Sequence, residues 1–542
     1  MAAPPVSKAA VLTAWMPAML AGIVSAAVLF AVAELAAAFF GPAASPFGSV
    51  GAAVVELSPP WLTEFAITTF ATADKLVLFV SMGIGATLLA AGIGVLALRN
   101  WTAGALVVAA LGVGMVVCVL TRAGAVPADA IPTALGTAVG LFCLRWLIRL
   151  LPGPAVPADR TAVPAGGVGV PAGAAADPAT ATREADPGRR TFLATAGVMA
   201  GAAVVMGIAA GAISAARNGA RQVREALGLP AAARPAKPLP AGVQAPVDGA
   251  IPFVTPNAQF YRIDTALFVP SVDPAQWTLR VHGLVEEEVS VGFQDLLEAD
   301  LLESYTTLTC VSNEVGGGLA GNARWLGYPL RELLARARPL PEADMVLSTS
   351  IDGFTASTPL AVLTDARNAL LAIGMNGEPL PLEHGFPVRM VVPGLYGYVS
   401  ATKWVVDLEV TRFEDKTAYW TSRGWSDHGP IKTASRIDVP RAGSRVAAGR
   451  TPFAGTAWAQ HRGISKVQVQ LDDGDWADAK LAAEASVDTW RQWYLVRDDV
   501  PAGQHMLRVR AWDGDGKLQT ETPAPPAPNG ASGWHSIEFT AD

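Results

Sequence analysis

One cysteine stands apart among the residues that could do chemistry. The chain has three, and Cys118 and Cys143 lie inside long apolar runs. Cys310 instead follows Ser304 to Thr309, a Thr-rich stretch with Tyr and Leu that predicts a strand. Gly316, Gly317 and Gly318 come shortly after it, where the backbone can turn sharply or approach a ligand closely. No second cysteine in that part of the chain can pair with it. Position alone leaves two readings open: a small buried hydrophobe, or a thiolate acting as metal ligand or nucleophile. Further on, His384-Gly385-Phe386-Pro387-Val388-Arg389 sets an imidazole and a guanidinium five residues apart, separated by a rigid proline.

The stretch Thr307 to Gly317, with Ala323-Arg324-Trp325-Leu326-Gly327 behind it and Glu383 to Trp404 beyond, resembles the sulfite oxidase family of molybdopterin enzymes. The resemblance runs in order over roughly residues 250–540. It implies a molybdenum-molybdopterin cofactor with Cys310 as thiolate ligand, since a soft thiolate suits a redox-active metal already held by sulfur. It implies that Phe260, Tyr261 and Arg262 approach the cofactor, and that His384 and Arg389 hold its pterin and phosphate through charge-assisted donors. Ser400-Ala401-Thr402-Lys403 matches the family's Ser-Val-Lys stretch with one extra residue, so Ala401, Thr402 and Lys403 join the expected cofactor set. Cys310, Arg262 and Tyr396 are the expected catalytic residues. Two departures bear on substrate. Asn313-Glu314-Val315 stands where sulfite oxidases carry basic residues, and Arg262-Ile263-Asp264 replaces an Arg-Asn-His stretch. Glu314 would repel an anion, which argues against sulfite itself.

The elements that must position these residues follow from composition. At 542 residues, with 51% hydrophobic residues and a mean hydropathy of +0.34, the chain exceeds one domain and is unusually apolar. Residues 1–215 hold only 10 of 40 Lys+Arg and 9 of 47 Asp+Glu. The remainder carries 30 basic and 38 acidic residues, which excludes the basic footprint of a nucleic-acid partner. Apolar runs at 15–40, 76–98, 103–120, 130–151 and 191–213 predict five membrane helices. Lys8, Arg99, Arg145, Arg149, Arg160 and Arg183 fall on one side of that arrangement, with Arg189 and Arg190, and only Lys75 and Arg122 in the opposite loops. The rule for basic residues then puts the N-terminus in the cytoplasm and everything after about residue 216 outside.

The expected organisation is a multi-domain chain: transmembrane α-helices, an α+β sulfite-oxidase-type molybdopterin-binding domain, then an immunoglobulin-like β-sandwich. Residues 1–151 form a four-helix transmembrane region. Residues 152–190, rich in Ala, Pro and Gly, form a linker predicted to be disordered, ending in Arg189-Arg190, either a twin-arginine export signal or a plain anchor flank. A fifth helix covers 191–215, and Gly197-x-x-x-Gly201 and Gly207-x-x-x-Gly211 within it could admit a neighbouring helix. A tether covers 216–250, the catalytic domain 251–429, and a dimerisation domain 430–542. Within the catalytic part, Trp277 to Leu284 and strands near 305–310, 345–349, 387–392 and 404–411 are expected, with helices at 293–298, 328–336 and 360–370. Val467 to Leu471, Trp490 to Val496, His505 to Trp512 and Trp534 to Thr540 supply later strands.

The expected function is a multi-pass cell-membrane oxidoreductase performing oxygen-atom transfer on a small molecule at the extracytoplasmic face. The alternatives are a sulfoxide-type reductase and a non-catalytic, membrane-tethered binding protein. All six histidines lie after residue 215, so the membrane helices offer no histidine to a b-type haem, and no Cys-x-x-Cys-His motif occurs. No haem is expected. Electrons would pass to a separate partner, a cytochrome or a quinone-linked membrane protein. Membrane lipid and a second copy of the chain complete the expected partners.

Overall fold

The computed structural model describes residues 8–40, 44–59, 62, 65, 69–70, 74–122, 125–151, 187–217 and 219–542. These fall into two compact units, Met1–Arg217 and Asn218–Asp542. Most of the expected linker, 152–186, lies outside the described residues.

The first unit is helical. Its elements are α1 (Lys8–Ala37), α2 (Pro46–Leu57), α3 (Asp74–Arg99), α4 (Trp101–Leu120), α5 (Ala130–Arg149) and α6 (Pro187–Arg217). Five stretches are long and apolar enough to cross a membrane: Trp15–Ala37, Lys75–Arg99, Trp101–Leu120, Pro127–Arg149 and Arg190–Ile213. At 12 residues, α2 is too short to span and was not expected. Ser45 caps it, and the Glu34 carboxylate at the end of α1 accepts from the Ser45 hydroxyl at 2.9 Å and the Phe47 N–H at 3.0 Å. Helix α1 packs against α3, α5 and α6. Gly22 and Gly94 allow its close approach to α3, because a Cβ on either would strike the facing backbone at Ala90 or Ala18. A Cβ on Gly197, Gly201, Gly207 or Gly211 would meet nothing within 4 Å, so the glycine-spaced face of α6 is not used for packing among the described residues. The Arg189-Arg190 pair stands in the first turn of α6.

The second unit begins with α7 (Gly219–Ala226). Residues 227–250, expected as a tether, are laid along the domain instead. Arg234 exchanges backbone hydrogen bonds with Leu301 and Glu303, and the Ala245 N–H donates to Gln492 Oε1 at 2.7 Å. Two sheets follow. One has the order β2-β1-β10-β5-β6, from β1 (Thr278–Gly283), β2 (Val289–Gly292), β5 (Met345–Ser350), β6 (Thr355–Pro359) and β10 (Val405–Thr411). In it β1 and β10 are parallel and the other pairs antiparallel. The other runs β3-β4-β7-β8, from β3 (Leu302–Thr309), β4 (Ala320–Pro329), β7 (Leu370–Met375) and β8 (Glu378–Pro379), with β9 (Arg389–Val391) also on β7. Helices α8 (Phe293–Glu298), α9 (Leu330–Ala337) and α10 (Leu360–Thr364) accompany them. The helix expected over 360–370 stops at Thr364, because the apolar run after it is β7, buried at every position.

From Ala434 the chain is all β. One sheet is β11-β13-β17-β16 (Ala434–Val439, Gly449–Trp458, Arg491–Val500, Lys480–Leu481) and the other β12-β19-β18-β14-β15 (Arg445–Val446, His535–Ala541, Gly503–Asp513, Ile464–Leu471, Ala477–Asp478). Alternating apolar positions of both sheets close on one core, in which Phe453 and Trp493 of the first meet Val467, Leu507 and Phe539 of the second.

Candidate cofactor site

Strand β3 delivers Cys310 to a tight loop. The Cys310 N–H donates to Leu319 O at 2.9 Å, the Asn313 N–H to Cys310 O at 3.1 Å, and the Leu319 N–H to Asn313 Oδ1 at 2.7 Å. Gly316 has φ +77, and a side chain there would run into the His535 ring. The thiol is buried. Burial pushes it up, while hydrogen bonds from Ser312 and the Lys403 ammonium act against that.

The second constellation comes from the segment 384–403. Arg389 and Lys403 face each other across an antiparallel bridge, and the Met390 N–H donates to Thr402 O at 2.9 Å. That register sends Lys403 to one face and Thr402 to the other, because successive strand side chains alternate. The Thr402 hydroxyl is accordingly bonded to Ser348 Oγ at 2.7 Å on the far side, so it brings no side chain to the cluster expected of it. Ala401 takes part through its carbonyl, which accepts from Arg389 Nη2 at 3.3 Å. Gly385, at φ +110, lets the loop close, since a Cβ there would lie 3.0 Å from that of Arg389 and 3.2 Å from that of Lys403.

Charge is concentrated in this pocket. Arg389 donates to the carbonyls of His384, Met390 and Ala401, and its guanidinium lies over the Trp325 ring at 5.2 Å. Burial lowers it to about 10. Lys403 Nζ donates to Asp264 Oδ2 and to Glu383 O, both at 2.9 Å, and burial lowers it to about 8. Arg262 Nε donates to the same Asp264 oxygen at 2.9 Å. Three cations therefore gather around one carboxylate. His384 is buried and pushed down to about 4 by desolvation and by Arg389 and Lys403, so it is neutral. Its Nε2–H donates to Asn257 O at 3.2 Å, which leaves Nδ1 an acceptor, buried and without a partner.

Aromatic residues complete the site. Phe260 is a packing residue, stacked on Tyr261 and set edge-on to Trp325 and His384. The Tyr261 and Tyr396 phenols both feel the Cys310 sulfur. Tyr261 is raised by burial, and Tyr396 is pushed up to about 12 by burial, so both stay protonated donors at neutral pH. The structure thus brings Tyr261, Arg262, Cys310, His384, Arg389, Tyr396, Lys403 and the Ala401 carbonyl together. The sequence reading missed Asp264 as a counter-ion, Asn257 as the partner of His384, Trp325 as the bed of Arg389, and Arg462, a cation acting on Tyr396 from the C-terminal domain and paired to Asp513 at 3.1 Å. Asp264 was in view beside Arg262, but nothing local signalled that it bridges to Lys403.

Residues 266–420 match the family model described as "Oxidoreductase molybdopterin binding domain". "Sulfite oxidase, mitochondrial" of Homo sapiens is 33% identical over 322 residues, 50% of this chain and 58% of that protein. "Uncharacterized oxidoreductase YuiH" of Bacillus subtilis is 34% identical over 157 residues, 29% of this chain and 76% of that protein. The chain belongs to the sulfite oxidase family of molybdopterin oxidoreductases. Among solved structures, the sulfane dehydrogenase SoxCD from Paracoccus pantotrophus is 24% identical with a TM-score of 0.47, covering 56% of this chain and 85% of that one. The chain spans 58% of the length of the mammalian sulfite oxidases it matches.

Family membership makes molybdenum-molybdopterin the cofactor, and the residues fit it. Arg389 and Lys403 are buried cations suited to a phosphate, and the orphaned Nδ1 of His384 asks for an N–H donor, which a pterin carries. Among the described residues no group of three or more His, Cys, Asp or Glu could hold a metal unaided, so a metal at Cys310 would take its other ligands from the cofactor.

Proposed function

We propose that the chain is a membrane-anchored oxidoreductase carrying out oxygen-atom transfer at the extracytoplasmic face. The observation that carries this reading is the buried cluster of Arg389, Lys403 and His384, with an unpartnered His384 Nδ1, whose Lys403 charge acts on the buried Cys310. When bound, the molybdenum cofactor supplies the two-electron chemistry. The chain's own residues do the rest. Arg389 and Lys403 hold the phosphate, Arg262 lies beside the cofactor, and His384 Nδ1 receives a pterin N–H. Cys310 is the protein's thiolate to the metal, favoured in that form by the Lys403 ammonium. Tyr396 and Tyr261, held protonated, donate hydrogen bonds to a substrate oxygen.

The substrate is a small sulfur compound, by likeness to relatives named sulfite oxidase. Glu314 is exposed four residues after Cys310, and the Arg262 charge is met by Asp264 at 2.9 Å. Both favour an uncharged substrate over the sulfite dianion, and they keep sulfoxide reduction as the second reading.

The five apolar helices anchor the enzyme in the cell membrane, with the domain bounds set out from the sequence: 1–151, 152–190, 191–215, 216–250, 251–429 and 430–542. The two-sheet architecture of the last part supports an immunoglobulin-like dimerisation domain. A cytochrome or a quinone-linked membrane protein exchanges electrons with the site. Molybdenum and pterin analysis of the purified full-length chain tests the reading. Stoichiometric amounts of both are expected, and a folded chain free of both would favour a membrane-tethered binding protein.

A further inference from the structure

Strand β3 is the edge of its sheet: Arg234 pairs with its start at Leu302, and beyond that its outer side has no strand of the sheet beside it. The C-terminal two-sheet domain supplies partners instead, immediately before Cys310. The Thr307 N–H donates to Asp488 O at 3.0 Å, and Thr307 Oγ1 accepts from the Trp490 N–H at 2.7 Å. Gln460 closes the last gap: its Nε2 donates to Thr307 O at 3.1 Å and to Thr309 Oγ1 at 3.0 Å. Gln460 is fully buried, as are Thr307 and Thr309. The orientation of its amide is fixed, because Thr307 O can only accept. Gln460 Oε1 is left buried with no partner. An unpaired buried carbonyl is costly, and the two bonds made by the nitrogen are what this side chain gains against that cost. On the other side of Cys310, Arg436 Nη1 of the same domain donates to Gly317 O at 2.9 Å.

We infer that Gln460 is a positioning residue for Cys310: it fixes the end of β3 through Thr307 and Thr309, so that the C-terminal domain presents the thiolate to the metal. This rests on the reading of Cys310 as metal ligand. It places part of the site's machinery outside residues 266–420, the segment that matches the cofactor-binding family model.

The test uses the full-length protein with Gln460→Met and Thr309→Val, each removing a bond without adding charge. Phe453→Leu, in the core of the C-terminal domain and away from β3, serves as the control for general loosening. The first readout is alkylation of Cys310 by iodoacetamide in cofactor-free protein, followed by peptide mass spectrometry. At least about a tenfold faster reaction is expected for Gln460→Met, which loses both hydrogen bonds of Nε2, with a smaller rise for Thr309→Val, which loses one, and none for Phe453→Leu. The second readout is the sulfur-to-metal charge-transfer absorption of loaded protein, scaled to molybdenum content. It should shift or weaken in Gln460→Met, and adding Thr309→Val should change it little further, because the two residues share one bond. An unchanged alkylation rate and unchanged band in Gln460→Met would overturn the inference. If Gln460→Met fails to fold, Thr309→Val decides by the same criteria. A charge-transfer spectrum unchanged in Cys310→Ser, at equal molybdenum content, would defeat the ligand reading instead, while the alkylation result would still judge the positioning.

Discussion

Replacing Lys403 by methionine tests the electrostatic arrangement of the pocket. The ammonium is only 9% exposed, and its pKa is lowered from 10.5 to about 8, chiefly by burial, with Arg389 pushing the same way and Asp264 opposing. One pKa unit is worth about 1.4 kcal/mol, so the buried charge costs the cofactor-free fold about 3 kcal/mol. The unfolded chain binds this proton more tightly than the folded one does. The cost is therefore fully present below about pH 8, and stability rises with pH between about 8 and 10.5 as the folded lysine loses its proton first. Lys403→Met abolishes the cost, though Asp264 then loses one of its ion-pair partners. A net gain of about 1–3 kcal/mol is expected for cofactor-free protein at pH 7, vanishing toward pH 10.5. Cofactor retention moves the opposite way, since losing a charge-assisted contact to phosphate costs about 1.5–3 kcal/mol, about ten- to a hundredfold in affinity. Urea unfolding of cofactor-free protein, followed by tryptophan fluorescence at both pH values, reads the first effect, and pterin per protein after expression reads the second. A variant less stable at pH 7 and fully loaded with cofactor would refute the reasoning.

Three other outcomes are expected. Arg389→Ala should lower pterin content by about ten- to a hundredfold in affinity terms, and full occupancy with slow turnover would place Arg389 against substrate instead. The absorption spectrum of the full-length chain should lack a stoichiometric, reducible Soret band, because residues 1–215 contain no histidine. Light scattering on the purified full-length chain should show a dimer, which deletion of 430–542 or changes on its surface should abolish, whereas a monomer at high concentration would count against pairing through that part.

The parts of the site that were legible in the sequence are those whose chemistry is local. Cys310 with its glycine loop, and His384, Arg389 and Lys403 within residues 384–403, each sit within a stretch that carries its own motif. Their partners are distant in the chain. Asp264 reaches Lys403 across 139 residues and Gln460 reaches Thr309 across 151, and no periodicity reports such pairs. The Thr402 side chain was misplaced because the extra residue before Lys403 hid the strand alternation, which only the Arg389–Lys403 bridge reveals. The five long apolar helices were plain from length and composition. Among strands, β14, β18 and β19 alternate apolar and polar residues and could be read directly. Strands β4 and β7 are buried on both faces and lack that alternation, so β4 went unseen and the start of β7 was assigned to a helix.

Molybdenum K-edge X-ray absorption on wild type and Cys310→Ser separates a protein thiolate at the metal from its absence. The wild-type metal is expected to have a thiolate sulfur from the protein in addition to those of the pterin, and Cys310→Ser to lose that scatterer while keeping pterin through Arg389 and Lys403. An identical sulfur count in the two proteins, at equal metal content, would contradict it.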